Sequence, residues 1–161
     1  MIKQIFDKSE KQKIARQILE ALPEWFEVEE GREEYISECA EWIFLADVNE
    51  NAESACGEKT DCYTGFLCLK ETGKATVEIA VMGVRKDYHR HGIGRQLVEK
   101  AKAIAKESGY TFMQVKTVQL GMYEDYDKTN LFYISCGFKE FEVIPVIWGE
   151  DNPCQIYVMS L

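Results

Sequence analysis

Proline-rich or serine-rich tracts, internal repeats and low-complexity segments are all missing from these 161 residues, which hold only three prolines. Nothing therefore marks a linker. The chain reads as a single domain, 1–161, a size that buries a core without staples. No apolar run approaches the about 20 residues that cross a bilayer. The opening MIKQIFDKSEKQK also has no continuous apolar stretch of the kind a secretory leader carries. The expectation is a cytoplasmic protein with no membrane partner.

Cys-x-x-Cys pairs are absent too. The six cysteines (Cys39, Cys56, Cys62, Cys68, Cys136, Cys154) lack the spacing of a zinc site. They read as reduced thiols serving as small hydrophobes. The even spacing Cys56, Cys62, Cys68 would share one strand face only if no turn intervened. A basic face is lacking as well. Residues 1–62 carry 7 Lys/Arg against 16 Asp/Glu, and residues 63–161 carry 12 of each, so the whole net charge of −9 lies in the first part. Neutralising phosphates needs a basic face, which excludes nucleic acid as partner. An acidic field suits a cationic small molecule, although a solvated acidic surface gives the same composition.

What is present is a mixed pattern of elements. KSEKQKIARQILEAL (8–22) is an amphipathic helix with a capping box of Ser9 and Gln12, and Ile14, Ile18 and Leu22 recur at helical spacing. GREEYISECAEW (31–42) follows as a second helix, and EWIFLADV (41–48) is a strand running into a polar turn at NENAES (49–54). YTGFLCLKE and ATVEIAVMGV are strands parted by the break TGK (72–74). IGRQLVEKAKAIAKESGY is the clearest helix, with Ile93, Leu97, Ala101 and Ile104 as its apolar face and Gly109 at its stop. Then come the strand TFMQVKTV, the short helix TNLFYISCGF ended by Gly137, and the strands FEVIPVIW and CQIYVMSL. The order α-α-β-β-β-α-β-α-β-β is that of a mixed α/β domain.

Both histidines of the chain, His89 and His91, precede Gly92-Ile93-Gly94. A metal at His-x-His needs further ligands, and Asp87 is the one local candidate, so no metal is expected. A strand, a glycine loop and a helix N-terminus form an anion cradle. The helix end exposes N–H groups and about half a positive charge, the glycines let backbone close in, and Arg90 and Arg95 add cations. A Walker loop is excluded because no Gly-Lys-Ser/Thr follows. A dinucleotide Gly-x-Gly-x-x-Gly fails because Leu97 holds its third glycine position.

Val84, four intervening residues and then HRHGIG resemble the acyl-CoA signature of the GNAT acetyltransferases, Gln/Arg-x-x-Gly-x-Gly/Ala. Downstream, TNLFYISCGF resembles the family's second signature, an aromatic-Tyr helix ending in Gly-Phe. The likeness is good over roughly residues 75–140. His89 occupies the family's Gln/Arg seat. Tyr126 stands where the family often has Asn, and Thr129 holds the usual small-residue position.

The resemblance implies a GNAT fold: a mixed central sheet of about six to seven strands flanked by helices, with a strand-loop-helix cradle for acyl-CoA. It implies acetyl-CoA as co-substrate, held by Met82 and Val84 on the strand and by His89, Arg90, His91, Gly92, Ile93, Gly94 and Arg95 in the loop. A bulge eased by Gly83 would aim an N–H at the thioester oxygen. Glu78 matches the catalytic glutamate of histone-acetyltransferase-type members, and Tyr133 the tyrosine that protonates the departing thiolate. Cys136 reads as a structural thiol at the helix end. The acceptor is expected to be a primary amine on a cationic small molecule such as a polyamine, amino sugar or aminoglycoside. Tyr123 and Tyr126 in YEDYD (123–127) would contact it, and Trp25, Phe26, Trp42 and Trp148 are further aromatics for its rim or the core. Alternatives are a peptide amine as acceptor, or a non-catalytic acyl-CoA-binding module. A homodimer is left open.

Overall fold

A computed structural model describes residues 1–50 and 62–161, with Cys62 described by its backbone. Cys56, the side chain of Cys62 and most of the NENAES turn lie outside the described residues. The elements are β1 (Ile2–Ile5), α1 (Lys8–Glu20), α2 (Glu29–Glu38), β2 (Ile43–Asn49), β3 (Cys62–Gly73), β4 (Thr76–Val84), α3 (Ile93–Glu107), β5 (Phe112–Val118), α4 (Glu124–Ser135), β6 (Lys139–Ile144) and β7 (Cys154–Ser160). Seven strands form one mixed sheet in the order β1-β2-β3-β4-β5-β7-β6, with β4–β5 parallel and the β1–β2, β2–β3, β5–β7 and β6–β7 pairs antiparallel. The mixed sheet and the four helices fulfil the expected fold class. The chain divides into two compact units, Met1–Leu69 with Val81–Ala101, and Lys70–Ala80 with Lys102–Leu161.

In the first unit, α1 and α2 lie on one sheet face, and Ile14, Ile18, Leu19 and Ile36 join Phe44, Phe66, Cys68 and Val81 in a buried cluster. Phe44 and Phe66 stack at 5.1 Å. Trp25, Phe26 and Trp42 pack at the edge of this cluster. The cap of α1 is Asp7, whose carboxylate accepts the Glu10 N–H at 2.8 Å, so the helix starts at Lys8 and Ser9 lies inside it. This replaces the Ser9–Gln12 capping box, because a residue can cap only from an extended backbone and Asp7 holds it.

Gly83 shows how closely α1 sits on β4. A methyl group there would stand 2.9 Å from Leu22 Cδ1 and 3.1 Å from Ile18 Cγ2. The glycine is needed for that approach, and β4 keeps its alternating burial through Val84. A bulge of this unit is on β3. Asp47 pairs with Gly65 and Val48 with Tyr63, leaving Thr64 as the extra residue. Its hydroxyl donates to Asp47 Oδ2 at 2.5 Å.

In the second unit, β5 runs parallel to β4 from Thr76↔Phe112 to Ile79↔Val115, and it pairs antiparallel with β7 along its length. Helix α4 packs through Tyr133 against Tyr157 and Phe138. The helix begins at Glu124, five residues before the expected start at Thr129. Glu124, Asp125 and Asp127 occupy its first turn, where negative charge stabilises the positive end of the helix dipole. Strand β6 stops at Ile144, so Pro145–Trp148 are not strand as expected. On α3, Ile93, Leu97, Val98 and Ala101 of the first unit and Ala105 of the second are buried, and Ile104 is only half-buried. The unforeseen element is β1, a short edge strand that owes its shape to pairing with β2.

Candidate active site

The cradle belongs to the first unit. At the end of β4 the Arg85 N–H donates to the Thr64 carbonyl at 2.8 Å, fixing the strand's exit to β3. One 3-10 turn follows over Lys86–Tyr88, closed by bonds from Tyr88 N–H to Arg85 O (2.9 Å) and from His89 N–H to Lys86 O (3.0 Å). Arg90 then takes φ +62° and Gly92 φ +78°. Both are left-handed, a region glycine enters freely and arginine does not. The Gly92 carbonyl accepts the Gln96 N–H at 3.0 Å, which makes Gly92 the N-cap of α3. A methyl group at Gly92 would meet only Gln96 Nε2, at 3.8 Å, so the backbone there faces open space. No acidic residue occupies the first turn of α3.

His89, Arg90, His91, Gly92 and Arg95 are exposed, Met82, Val84 and Gly94 half-buried, and Ile93 buried. The loop has the open backbone, cationic side chains and helix end that a diphosphate requires. Gly65 was not singled out from the sequence. A methyl group on it would stand 3.1 Å from Gly83 O, 3.1 Å from Val84 Cγ2 and 3.3 Å from Ile93 Cγ2, so this glycine lets β3 pass under the start of the loop. A single glycine inside an apolar strand, YTGFLCL, is the signal that would have found it.

His89 behaves differently from a phosphate ligand reaching outward. Its Nε2 lies 2.7 Å from the Val84 carbonyl oxygen. A carbonyl only accepts, so Nε2 carries the hydrogen. The Trp25 ring meets the imidazole edge-on with centroids 6.2 Å apart, and Lys86 pairs with Glu24 next to Trp25. His91 instead neighbours Tyr88, at 6.5 Å between centroids. The described residues contain no group of three or more His, Cys, Asp or Glu that could hold a metal ion.

The second unit carries the other expected residues. Glu78 is on β4 in register with Gln114, its side chain only 13% exposed, and Lys116 Nζ lies 3.2 Å from its Oε1. That partner was missed, although Lys116 is the one charge in the apolar strand TFMQVKTV. Burial pushes the nearby Cys154 thiol up, with Lys116 acting in the opposite sense and Glu78 in the same one. Tyr133 is 6% exposed, its ring 5.7 Å from Phe138 and 5.5 Å from Phe132.

Tyr123 is the N-cap of α4 and Tyr126 lies in its first turn, their rings 6.1 Å apart. Burial pushes the Tyr126 phenol up, and Tyr123 adds to it. The Gly121 N–H donates to Asp127 Oδ1 at 2.7 Å. Fully buried Asn130 donates to Val118 O (2.8 Å) and Tyr126 O (2.7 Å) and accepts from the Tyr157 hydroxyl (2.6 Å). Asn130 was also missed, its signal being a lone amide on the inner face of a helix.

Similar proteins can now be set beside this geometry. The uncharacterized N-acetyltransferase YvbK of Bacillus subtilis (strain 168) is 29% identical over 115 residues, 66% of this chain and 71% of that one. A crystal structure assigned to the GNAT family from Desulfovibrio desulfuricans superposes with TM-score 0.78 at 15% identity, over 99% of this chain and 98% of that one. An aminoglycoside 6'-N-acetyltransferase solved with coenzyme A gives TM-score 0.72 at 19% identity, over 99% and 96%. These two structures show the fold. The model of the acetyltransferase (GNAT) family matches residues 11–138, and the chain belongs to that family as an N-acetyltransferase.

Proposed function

We propose that the protein transfers the acetyl group of acetyl-CoA directly to a primary amine of a small cationic molecule, a polyamine, amino sugar or aminoglycoside. The observation that carries this reading is the start of α3: a left-handed glycine cap, flanking arginines and no carboxylate in the first turn. Such a helix end is left to an anion from outside the chain.

Acetyl-CoA supplies, when bound, an acetyl group activated as a thioester. Arg90, His91, Gly92, Ile93, Gly94 and Arg95 receive its diphosphate, and the backbone of Met82 and Val84 pairs with its pantetheine arm. Glu78 takes the proton of the acceptor ammonium, its carboxylate steadied by Lys116 at 3.2 Å, since the amine must be neutral to attack. Tyr133 gives a proton to the departing thiolate. A cationic acceptor is supported by the surplus of acidic residues in positions 1–62. Tyr123 and Tyr126 are its contacts in this reading. The buried cysteines Cys39, Cys68, Cys136 and Cys154, none of them in a disulfide, support a cytoplasmic setting.

The test is release of free CoA from acetyl-CoA across polyamines, amino sugars, aminoglycosides and a lysine-containing peptide. Acceleration over the amine-free rate by one of the small cations is expected. Turnover only with the peptide would move the acceptor to a protein amine. Tight acetyl-CoA binding with no turnover on any amine would make the chain a binding module.

A further inference from the structure

Resting on the donor-binding reading above, we propose that His89 is a positioning residue that sets the donor loop from within. Its Nε2–H holds the Val84 carbonyl, and Trp25 holds its ring. The alternative, a cation aimed at the diphosphate, is what its place in the motif suggests, and the two differ in what the ring must supply.

The geometry is that of a closed loop. Val84 is the last residue of β4, and His89 follows the 3-10 turn. The 2.7 Å bond between them spans five residues and brings the exit of the turn back onto the strand end. The His89 N–H is committed to Lys86 O at 3.0 Å, so both the backbone and the ring of this residue are tied down. Arg90 begins the left-handed segment directly after it. A shift at His89 is therefore passed to the orientation of the amides that follow.

The ring is held from its other side by the segment after α1. Trp25 meets it edge-on at 6.2 Å, and the Trp25 N–H is itself bonded to Leu22 O at 3.2 Å. The Lys86–Glu24 ion pair ties the same two segments together, one residue before Trp25 and three before His89. On this arrangement a neutral donor does the work, so glutamine, whose amide nitrogen reaches about as far as Nε2, replaces it. Phenylalanine keeps the ring against Trp25 and loses the donor.

The experiment compares wild type, His89→Phe and His89→Gln by calorimetric titration with acetyl-CoA, by the split between KM and kcat, and by thermal unfolding. Loss of one hydrogen bond of about 1.4 kcal/mol corresponds to tenfold in affinity. The expected result is a Kd for acetyl-CoA raised about tenfold in His89→Phe and restored to within about twofold in His89→Gln. In His89→Phe, KM for acetyl-CoA should rise by a larger factor than kcat falls, and the Tm should stay within about 3 °C, less than the loss of a core contact would give.

Equal binding by all three forms would mean that the bond is idle. Equal weakening in both variants would mean that a charged imidazole on the phosphates matters instead. Either result overturns the proposal while leaving donor binding intact. Failure of wild type to bind acetyl-CoA would overturn the donor reading and this one together.

Discussion

Two strand-loop-helix passages of this chain, β4 to α3 and β5 to α4, are built on one plan and finished in opposite ways. Each has a left-handed glycine before its helix, Gly92 at φ +78° and Gly121 at φ +95°. In the second, the chain answers its own exposed amides. Asp127 accepts the Gly121 N–H, and Glu124, Asp125 and Asp127 fill the first turn with negative charge. In the first, the turn holds no acid and the nearby side chains are Arg90 and Arg95. A helix end carries about half a positive charge in either case. One passage spends that charge on its own stability, and the other leaves it for the donor in the function proposed above.

The strongest way to break the contrast is to give α3 the carboxylate that α4 has. Gly94 lies in the first turn of α3, so Gly94→Glu puts a carboxylate where that turn has none. Like charges in the cradle should weaken acetyl-CoA binding by on the order of 100-fold or more, about 2.7 kcal/mol. The Tm should hold or rise, because Glu suits a helix better than Gly by about 0.5–1 kcal/mol and complements the dipole. Calorimetric titration beside thermal unfolding measures both, and undiminished affinity would mean that the cradle is not where the donor sits.

The second passage should break through its inner fastening. Asn130→Leu removes three hydrogen bonds, two of them buried, and leaves the Tyr157 hydroxyl and Val118 carbonyl without that partner. Each stranded buried group costs about 1–3 kcal/mol, so a loss of about 3 kcal/mol in denaturant unfolding is expected. A change below about 1 kcal/mol would show that water replaces the amide. Asp127→Ala should cost less, about 1 kcal/mol, by removing the partner of the Gly121 N–H and one first-turn charge. Asp127→Asn, which keeps an acceptor, should recover part of that loss. If both variants match wild type in chemical denaturation, the acids of α4 do not serve its stability.

The contrast also explains how much could be read beforehand. Passage β4–α3 was legible because its features are local: an alternating strand, glycines at fixed offsets, and an apolar stripe with period near 3.6. The YEDYD segment was harder to read, because acidic residues serve a solvated face, a ligand and a helix start equally well. The start of α4 at Glu124 shows that Glu124, Asp125 and Asp127 serve the third of these. What stayed hidden depends on partners distant in sequence. β1 is a strand because β2 lies beside it. Gly65 and Gly83 are glycines because other elements come within about 3 Å of where a side chain would begin. Lys116 matters because β5 sets it against Glu78. None of these leaves a periodic trace.

Arg90 offers the finest test, since it sets stability against binding at one residue. Its φ of +62° costs an L-residue about 1–2 kcal/mol, and nothing in its own side chain relieves that. Glycine removes the strain but adds about 0.4–1 kcal/mol of unfolded-state entropy, so Arg90→Gly should gain about 0.5–1 kcal/mol, or about 1–4 °C in Tm. The same change deletes a cation from the loop, and acetyl-CoA affinity should fall several-fold, with a shallower dependence on salt because one charge contact is lost. Asp127, in the other passage, has no such opposition: weakening it lowers stability and leaves nothing to gain. A rise in Tm together with weaker, less salt-sensitive binding would therefore show that the first passage holds its strain for the ligand. A fall in both quantities would show that Arg90 supports the folded loop instead.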